Sequence, residues 1–405
     1  MKKRKLFFII LVAALLALYF GLFHKNKDLK YIPDNADAVV VIDVKKLARN
    51  YLSEAILHPS TWFKENQEKG KKKWLNAGLK IPDFIAFFHL PNEKTNSWYT
   101  ILPIKNKEKL QEFLKAEKFQ IKNGNVYQKG SISLKIVDKI LIAGSSETGF
   151  NNLEKIFSSP PKNIKNADEF LTEDFGVLAI LKDKNIQKYG INLGEDFIEI
   201  SNSNDFKSKI PSTLQPKHFL EANLNQKNLK LFSTLFKNDV FLGENINSVE
   251  IVSDLKQVSD TIISFDYDEN FNEVEKISIQ KIIQPQYSIQ LKTSTPNKVW
   301  SNLKNQRKID AKNQFTAIPF LPNQIQKEKN GLSIQTKNHT QILKTIPDNY
   351  FILKNDALLL SSIKSLTETE RRKCKDIDYL FYLNKGNDFV LKLQFKKGNL
   401  PFILR

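Results

Sequence analysis

Few residues in this 405-residue chain stand in a pattern that does recognisable chemistry. The five histidines are His24, His58, His89, His218 and His339, and no two lie within ten residues of each other. There is no HExxH and no HxH, the spacings that put two imidazoles on one helix face or strand face. A single cysteine, Cys374, excludes an internal disulfide and a Cys-based zinc site. It sits in Arg371-Arg372-Lys373-Cys374-Lys375, where neighbouring cations favour a thiolate. The plainer reading is an isolated cysteine on an exposed basic loop. Asp266, Asp268 and Glu269 could bind a divalent cation or act in acid–base work. They equally fit the cap of a hairpin turn, which Asn270 supports. Phosphate cradles need glycines at fixed spacing, and neither GxGxxG nor GxxxxGK[ST] occurs among only 14 glycines. The G-x-S-x-G elbow of serine hydrolases is also absent, and Gly130-Ser131 and Gly144-Ser145-Ser146 read as strand ends. No catalytic residue, metal ligand or cofactor is therefore expected.

One surface cluster remains. Lys69, Lys71, Lys72 and Lys73 run into Trp74, with Trp62 and Phe63 close by. Lysines beside an aromatic suit a polyanion or a membrane surface, while a solvated loop or helix end explains the same run. The whole chain is basic, with 62 Lys+Arg against 44 Asp+Glu and a formal charge of +18. Only six of those cations are arginine, and there are 38 asparagines. That bias resembles an AT-rich coding sequence. Nucleic-acid readers lean on the planar guanidinium, so nucleic acid is not an expected partner.

The N-terminus sets the expected compartment. Lys2-Lys3-Arg4-Lys5 precedes Leu6 to Phe23, which is 18 residues without a charge. As a helix this run is about 27 Å long, enough to cross the hydrocarbon core. A cleaved signal peptide is the competing reading, but no small-x-small site ends the run. The expectation is a single-pass membrane protein with a cytoplasmic N-terminus and a periplasmic or extracellular body.

Along the body, strands alternate with helices. Ala38 to Val44 reads as a strand, and Val44, Leu47, Ala48, Tyr51, Leu52, Ala55 and Ile56 mark a helix that Pro59 closes. Trp98–Ile104 is a strand and Lys107–Phe119 a helix with Leu110, Phe113 and Leu114 inside. Gly176–Lys182 is a strand followed by a short helical stretch. Phe219–Leu224 leads to a helix marked by Leu229, Phe232, Leu235 and Phe236, and Tyr287–Lys292 to one that starts at Pro296. Residues 136–146 and 352–362 share one pattern, a hydrophobic strand with a small-residue stop. Each follows a Lys-Asn-Gly, at 122–124 and 329–331. The C-terminal Phe389, Leu391, Leu393 and Phe395 alternate as a strand. Read end to end, one element order occurs twice, with 136–146 matched to 352–362.

The opening Ile32-Pro33-Asp34-Asn35-Ala36-Asp37-Ala38-Val39-Val40-Val41-Ile42-Asp43 resembles the start of a class of membrane-anchored envelope proteins of Bacteroidota and related bacteria. That resemblance implies an anchor and repeated strand–helix units, and no assigned activity. The expected fold is α+β: a transmembrane helix, then two similar lobes of antiparallel-rich sheet with helices on one face. The divisions are 1–23 cytoplasmic head and anchor, 24–31 tether, 32–160 first lobe, 161–213 connecting region, 214–370 second lobe and 371–405 C-terminal strands. The expected role is a non-catalytic binding, scaffolding or assembly protein, held in the membrane by residues 6–23 and facing a protein partner in the envelope. The alternatives are a basic polyanion or membrane-surface binder and an enzyme without a recognisable motif.

Overall fold

The computed structural model describes residues 23–57, 77–158, 163–171, 174–182, 185–194, 196–202, 216–236, 241–242, 245–269, 271–318, 323–336, 349–363, 366 and 368–396. The fold is α+β, mostly antiparallel sheet with few helices. The described residues up to Asn202 form one compact unit, and those from Pro216 to Lys396 a second. Residues 1–22 of the expected anchor, and Lys69, Lys71, Lys72, Lys73 and Trp74, lie outside the described residues. Among the described residues no helix is long and apolar enough to cross a membrane.

The first unit opens with β1 (Asp28–Leu29), β2 (Ala38–Asp43) and α1 (Val44–Leu57). Next come β3 (Phe84–His89), β4 (Trp98–Pro103), α2 (Lys107–Ala116), β5 (Gln120–Asn123), β6 (Val126–Lys129), β7 (Ile132–Val137), β8 (Ile140–Gly144) and α3 (Phe150–Phe157). It closes with β9 (Lys165–Asn166), a 3-10 turn at Ala167–Glu169, β10 (Gly176–Lys182), β11 (Asn185–Leu193) and β12 (Phe197–Ser201). Apart from the small β1–β9 pair, these strands form one antiparallel run, β12-β11-β10-β2-β3-β4-β8-β7-β6-β5. β2 lies inside this run because its β-branched sequence suits a strand flanked on both edges. Val39 pairs with Phe88 and with Ala179, and all three are fully buried.

Two helices seat on this sheet from opposite sides. Leu110, Phe113 and Leu114 of α2 pack with Leu134, Ile136 and Leu141. Phe150 and Leu153 of α3 pack with Ile140 and Ile142. Successive strand residues point to opposite faces, so the expectation of helices on one face fails here. β8 is apolar on both sides, and on the α3 side of β7 Lys135 donates to Asn151 and Glu154 of that helix.

The second unit runs β13 (Leu220–Asn225), α4 (Gln226–Phe236), β14 (Ser248–Tyr267), β15 (Glu273–Lys292) and α5 (Pro296–Asn305). It continues with β16 (Gln314–Phe315), β17 (Asn323–Glu328), β18 (Gly331–Gln335), β19 (Asn349–Lys354), α6 (Ala357–Ser362), α7 (Glu368–Lys375), β20 (Ile377–Lys385) and β21 (Asp388–Phe395). Its strands pair as β16-β17-β18-β15-β14-β13-β19-β20-β21, again all antiparallel. Val299 and Leu303 of α5 and Leu229 of α4 close a core on Val249, Ile289, Leu291 and Ile334. Tyr350, Ile352, Phe381 and Val390 form a second cluster.

Several expectations change. The stretch after Gly176–Lys182 is the strand β11, not a helix. Its Ile186, Tyr189 and Ile191 sit in register against β10, where cross-strand pairing outweighs local propensity. Residues 136–146 are the end of a hairpin, turning at Asp138 with φ 46°, whereas 352–362 are the end of β19 followed by helix α6. α6 begins there because the Asp356 carboxylate accepts the Leu358 N–H at 2.7 Å. The two segments also hold different places: β8 pairs with β4, and β19 with β13. That specific match is wrong. The segment read as a connection, 161–213, supplies β9 to β12 of the first unit, and 377–395 pairs into the second.

Candidate functional site

β14 and β15 are each 20 residues long, and they are paired over their full length from Ser248↔Lys292 to Tyr267↔Glu273. Their neighbours are much shorter. β13 reaches β14 only over Ser248–Ser253, and β18 reaches β15 only over Ser288–Lys292. Beyond these limits, among the described residues, the two strands pair with each other alone. From residue 259 to 281 every described residue is exposed. The result is a two-stranded arm about 40 Å long at ~3.3 Å per residue.

Sequence accounts for both halves of this ribbon. Near the base, Val249, Val252, Tyr287, Ile289 and Leu291 are buried in the sheet core. The phenol of Tyr287 is buried at the base of the arm, and burial pushes its pKa up. Further out, β-branched and aromatic residues keep the strands extended. At the tip Asp268 closes the turn: its carboxylate accepts the Asn272 backbone N–H at 2.8 Å and the Asn272 amide at 3.1 Å. Phe271 takes φ 60° and is 86% exposed. The acidic group at 266–269 is thus part of a hairpin turn, and no group of three metal-ligating side chains occurs among the described residues.

The register sorts the arm into two unlike faces, since directly paired residues share a side. One face carries Gln257/Ile283, Ser259/Lys281, Thr261/Ile279, Ile263/Ile277, Phe265/Glu275 and Tyr267/Glu273. Its large apolar groups are strongly exposed: Ile263 56%, Phe265 64%, Tyr267 68%, Ile277 65% and Ile279 75%. The other face carries Lys256/Gln284, Val258/Ile282, Asp260/Gln280, Ile262/Ser278, Ser264/Lys276 and Asp266/Val274; it is more polar and has no exposed aromatic, and its exposed large apolar groups are Ile262 (38%) and Val274 (47%). Of its four charged residues, Lys276 and Asp266 pair at 3.4 Å. The Tyr267 backbone N–H and then Lys276 hold the Asp266 carboxyl below the usual carboxylate range. On the apolar face Lys281, Glu273 and Glu275 have no ion-pair partner among the described residues.

Comparison with protein-family models, curated proteins and solved structures finds no match for this chain.

The residues singled out from sequence sit elsewhere. His89 is buried, with Nδ1 at 2.7 Å from Asp37 and Nε2 at 2.9 Å from the Lys94 carbonyl oxygen. His218 pairs with Asp254 at 2.9 Å, and the His24 carbonyl accepts from Lys45. His58 and His339 lie outside the described residues. Cys374 stands on α7 at intermediate exposure rather than on a loop. The Arg371 guanidinium beside it donates to the carbonyl oxygens of Leu360 and Ile363, which end α6.

Two cavities add little chemistry. One of about 350 Å³ in the second unit is lined by Leu220, Leu229, Phe232, Phe241 and Phe351, with Ser233 as its polar member. That hydroxyl donates to the Lys230 carbonyl oxygen at 3.0 Å. Another of about 350 Å³ in the first unit lies between Leu29–Ile32 and Ile81–Ala86. Neither brings a nucleophile to a base. Sequence reasoning missed the arm. The available signal was β-branched and aromatic residues running on both sides of a capped turn at 266–272.

Proposed function

We propose that this chain is a membrane-tethered, extracytoplasmic assembly protein without catalytic activity, and that the β14–β15 arm is its docking element. One observation carries the reading: five large apolar side chains stand more than half exposed on one face of a ribbon that has no third strand among the described residues. A two-stranded ribbon is marginal in water by itself, and an apolar patch of this kind marks an interaction site. The apolar run at residues 6–23 supports a membrane anchor, and the opening motif 32–43 supports an envelope protein of the Bacteroidota-like class.

The same reading makes the two units copies of one ancestral lobe. Each starts strand–helix–strand–strand–helix, with the first three strands adjacent. In each, a later strand joins the outer side of the third: β8 on β4 and β18 on β15. In each, the last three strands add to the other side of the first: β10-β11-β12 on β2 and β19-β20-β21 on β13. The match therefore runs β7–β8 to β17–β18 and β10 to β19. The arm is then an elongation of the β3–β4 hairpin of the first unit.

The test is to shorten the arm in the native organism. Replacing Ser259–Lys281 by Asn-Gly joins Val258 to Ile282, which are already paired, through a two-residue turn. The high-mass species containing this protein in native membranes should collapse on a blue-native gel. Unchanged migration of the shortened protein contradicts the reading.

A further inference from the structure

We infer that the partner of the arm is the arm of a second copy of this chain, packed apolar face to apolar face with the strands antiparallel. The inference rests on the docking reading above and adds the identity of the occupant.

The order of side chains along β15 singles out this occupant. On the apolar face this strand reads Ile283, Lys281, Ile279, Ile277, Glu275 and Glu273 from base to tip. The cation lies toward the base and the carboxylates toward the tip. A two-fold axis in the interface, between the 279 and 277 rows, lays β15 on β15 of the second copy in reverse. Lys281 then meets Glu275 of the second copy and Glu275 meets its Lys281, while Ile279 meets Ile277. This is the self-complementarity that an isologous interface requires, since each residue's contact is returned. It supplies partners to Lys281 and Glu275, which have no ion-pair partner among the described residues. A parallel pairing instead sets Glu273 and Glu275 of both copies together, and like charges oppose it.

Other occupants fit less well. Between Lys256 and Gln284 stand six carboxylates (Asp260, Asp266, Asp268, Glu269, Glu273 and Glu275) against three lysines (Lys256, Lys276 and Lys281). An acidic arm is repelled by an anionic lipid surface, although the chain as a whole is +18. A ribbon face of about 10 by 34 Å is roughly 340 Å² per copy, about 680 Å² in total before side-chain relief is added, the size of a weak, reversible interface.

The experiment is sedimentation equilibrium on the purified full-length chain in detergent. Wild type, Lys281→Glu, Glu275→Lys, a 1:1 mixture of the two variants, and the double variant are compared. Wild type should form a dimer. Each single variant should associate about tenfold more weakly, because both symmetry-related pairs turn repulsive. The mixture and the double variant should recover, since each then pairs opposite charges again. A monomeric wild type, single variants as tight as wild type, or no recovery in the mixture overturns the proposal. So does arm-dependent binding of the chain to phosphatidylglycerol vesicles that displaces the dimer. A monomeric wild type whose high-mass species in native membranes still collapses on arm shortening overturns self-pairing and leaves the docking reading standing. A monomer with no such collapse removes both.

Discussion

The His89–Asp37 pair shows how a scattered histidine becomes structural. His89 ends β3 and is buried, and both ring nitrogens face oxygen acceptors. Burial by itself lowers its pKa, but the hydrogen bond to Asp37, that to the Lys94 carbonyl, and the charges of Asp37 and Glu93 outweigh it and raise the value. A raised folded-state pKa contributes stability that is complete below the unfolded value of about 6.5. That stability is lost as pH rises through the folded value. Urea melts between pH 5.5 and 8.5 should thus show stability falling with pH, and Asp37→Asn should flatten that slope. A slope unchanged in the variant contradicts the assignment. Gly78 makes a second residue-scale case. It holds φ 74°, its carbonyl accepts the N–H groups of Lys105 and Asn106 at 2.8 and 2.9 Å, and an added Cβ meets the Asn106 carbonyl oxygen. Gly78→Ala should cost about 1–3 kcal/mol in chemical denaturation. Neither role was legible in the sequence. His89 and Asp37 are 52 positions apart, and Gly78 has no motif around it.

At the scale of elements, legibility followed locality. Helix α2 was readable because Leu110, Phe113 and Leu114 repeat at helical spacing and all three are buried. The strand-to-helix junctions were readable too, and the structure adds their caps. Asp43 accepts the Lys46 N–H at 2.8 Å and pairs with Lys25, and Asn225 accepts the Asn228 N–H at 3.0 Å. Asp43→Ala removes a cap and leaves a half-buried lysine without its carboxylate, at about 2 kcal/mol. Asp43→Asn should recover part of that in thermal or urea melts, because the amide oxygen still caps as Asn225 does. Equal losses in the two variants would show that the ion pair, not the cap, dominates. The arm was not legible. Its outer residues are sorted by a cross-strand partner up to 20 or more positions away, so neither strand alternates cleanly by itself. Because every described residue of 259–281 is exposed, replacing the segment by Asn-Gly should shift the melting temperature of the full chain by no more than about 2 °C. A large loss would mean that the arm supports the fold rather than docking.

For the whole molecule, sequence pattern led to the expectation of a recurring element order, and the two strands it matched hold different places. The segments 136–146 and 352–362 are alike locally, whereas their places are set by β4 and β13, far away in the chain. Sheet neighbours are non-local, so a repeat of short hydrophobic runs cannot choose among them. Charge was legible as a total, but its distribution was not. A chain of +18 presents an acidic arm whose apolar face bears charges with no ion-pair partner among the described residues. The central claim is that this face is covered when the protein works. The most direct measurement is site-specific photo-crosslinking in native membranes. A photoreactive phenylalanine analogue replaces Phe265 or Ile277 on the apolar face, and Ser264 or Ser278 on the polar face. Crosslinked product should form from 265 and 277 and be absent from 264 and 278. Crosslinking from neither face, or equally from both, would contradict the account.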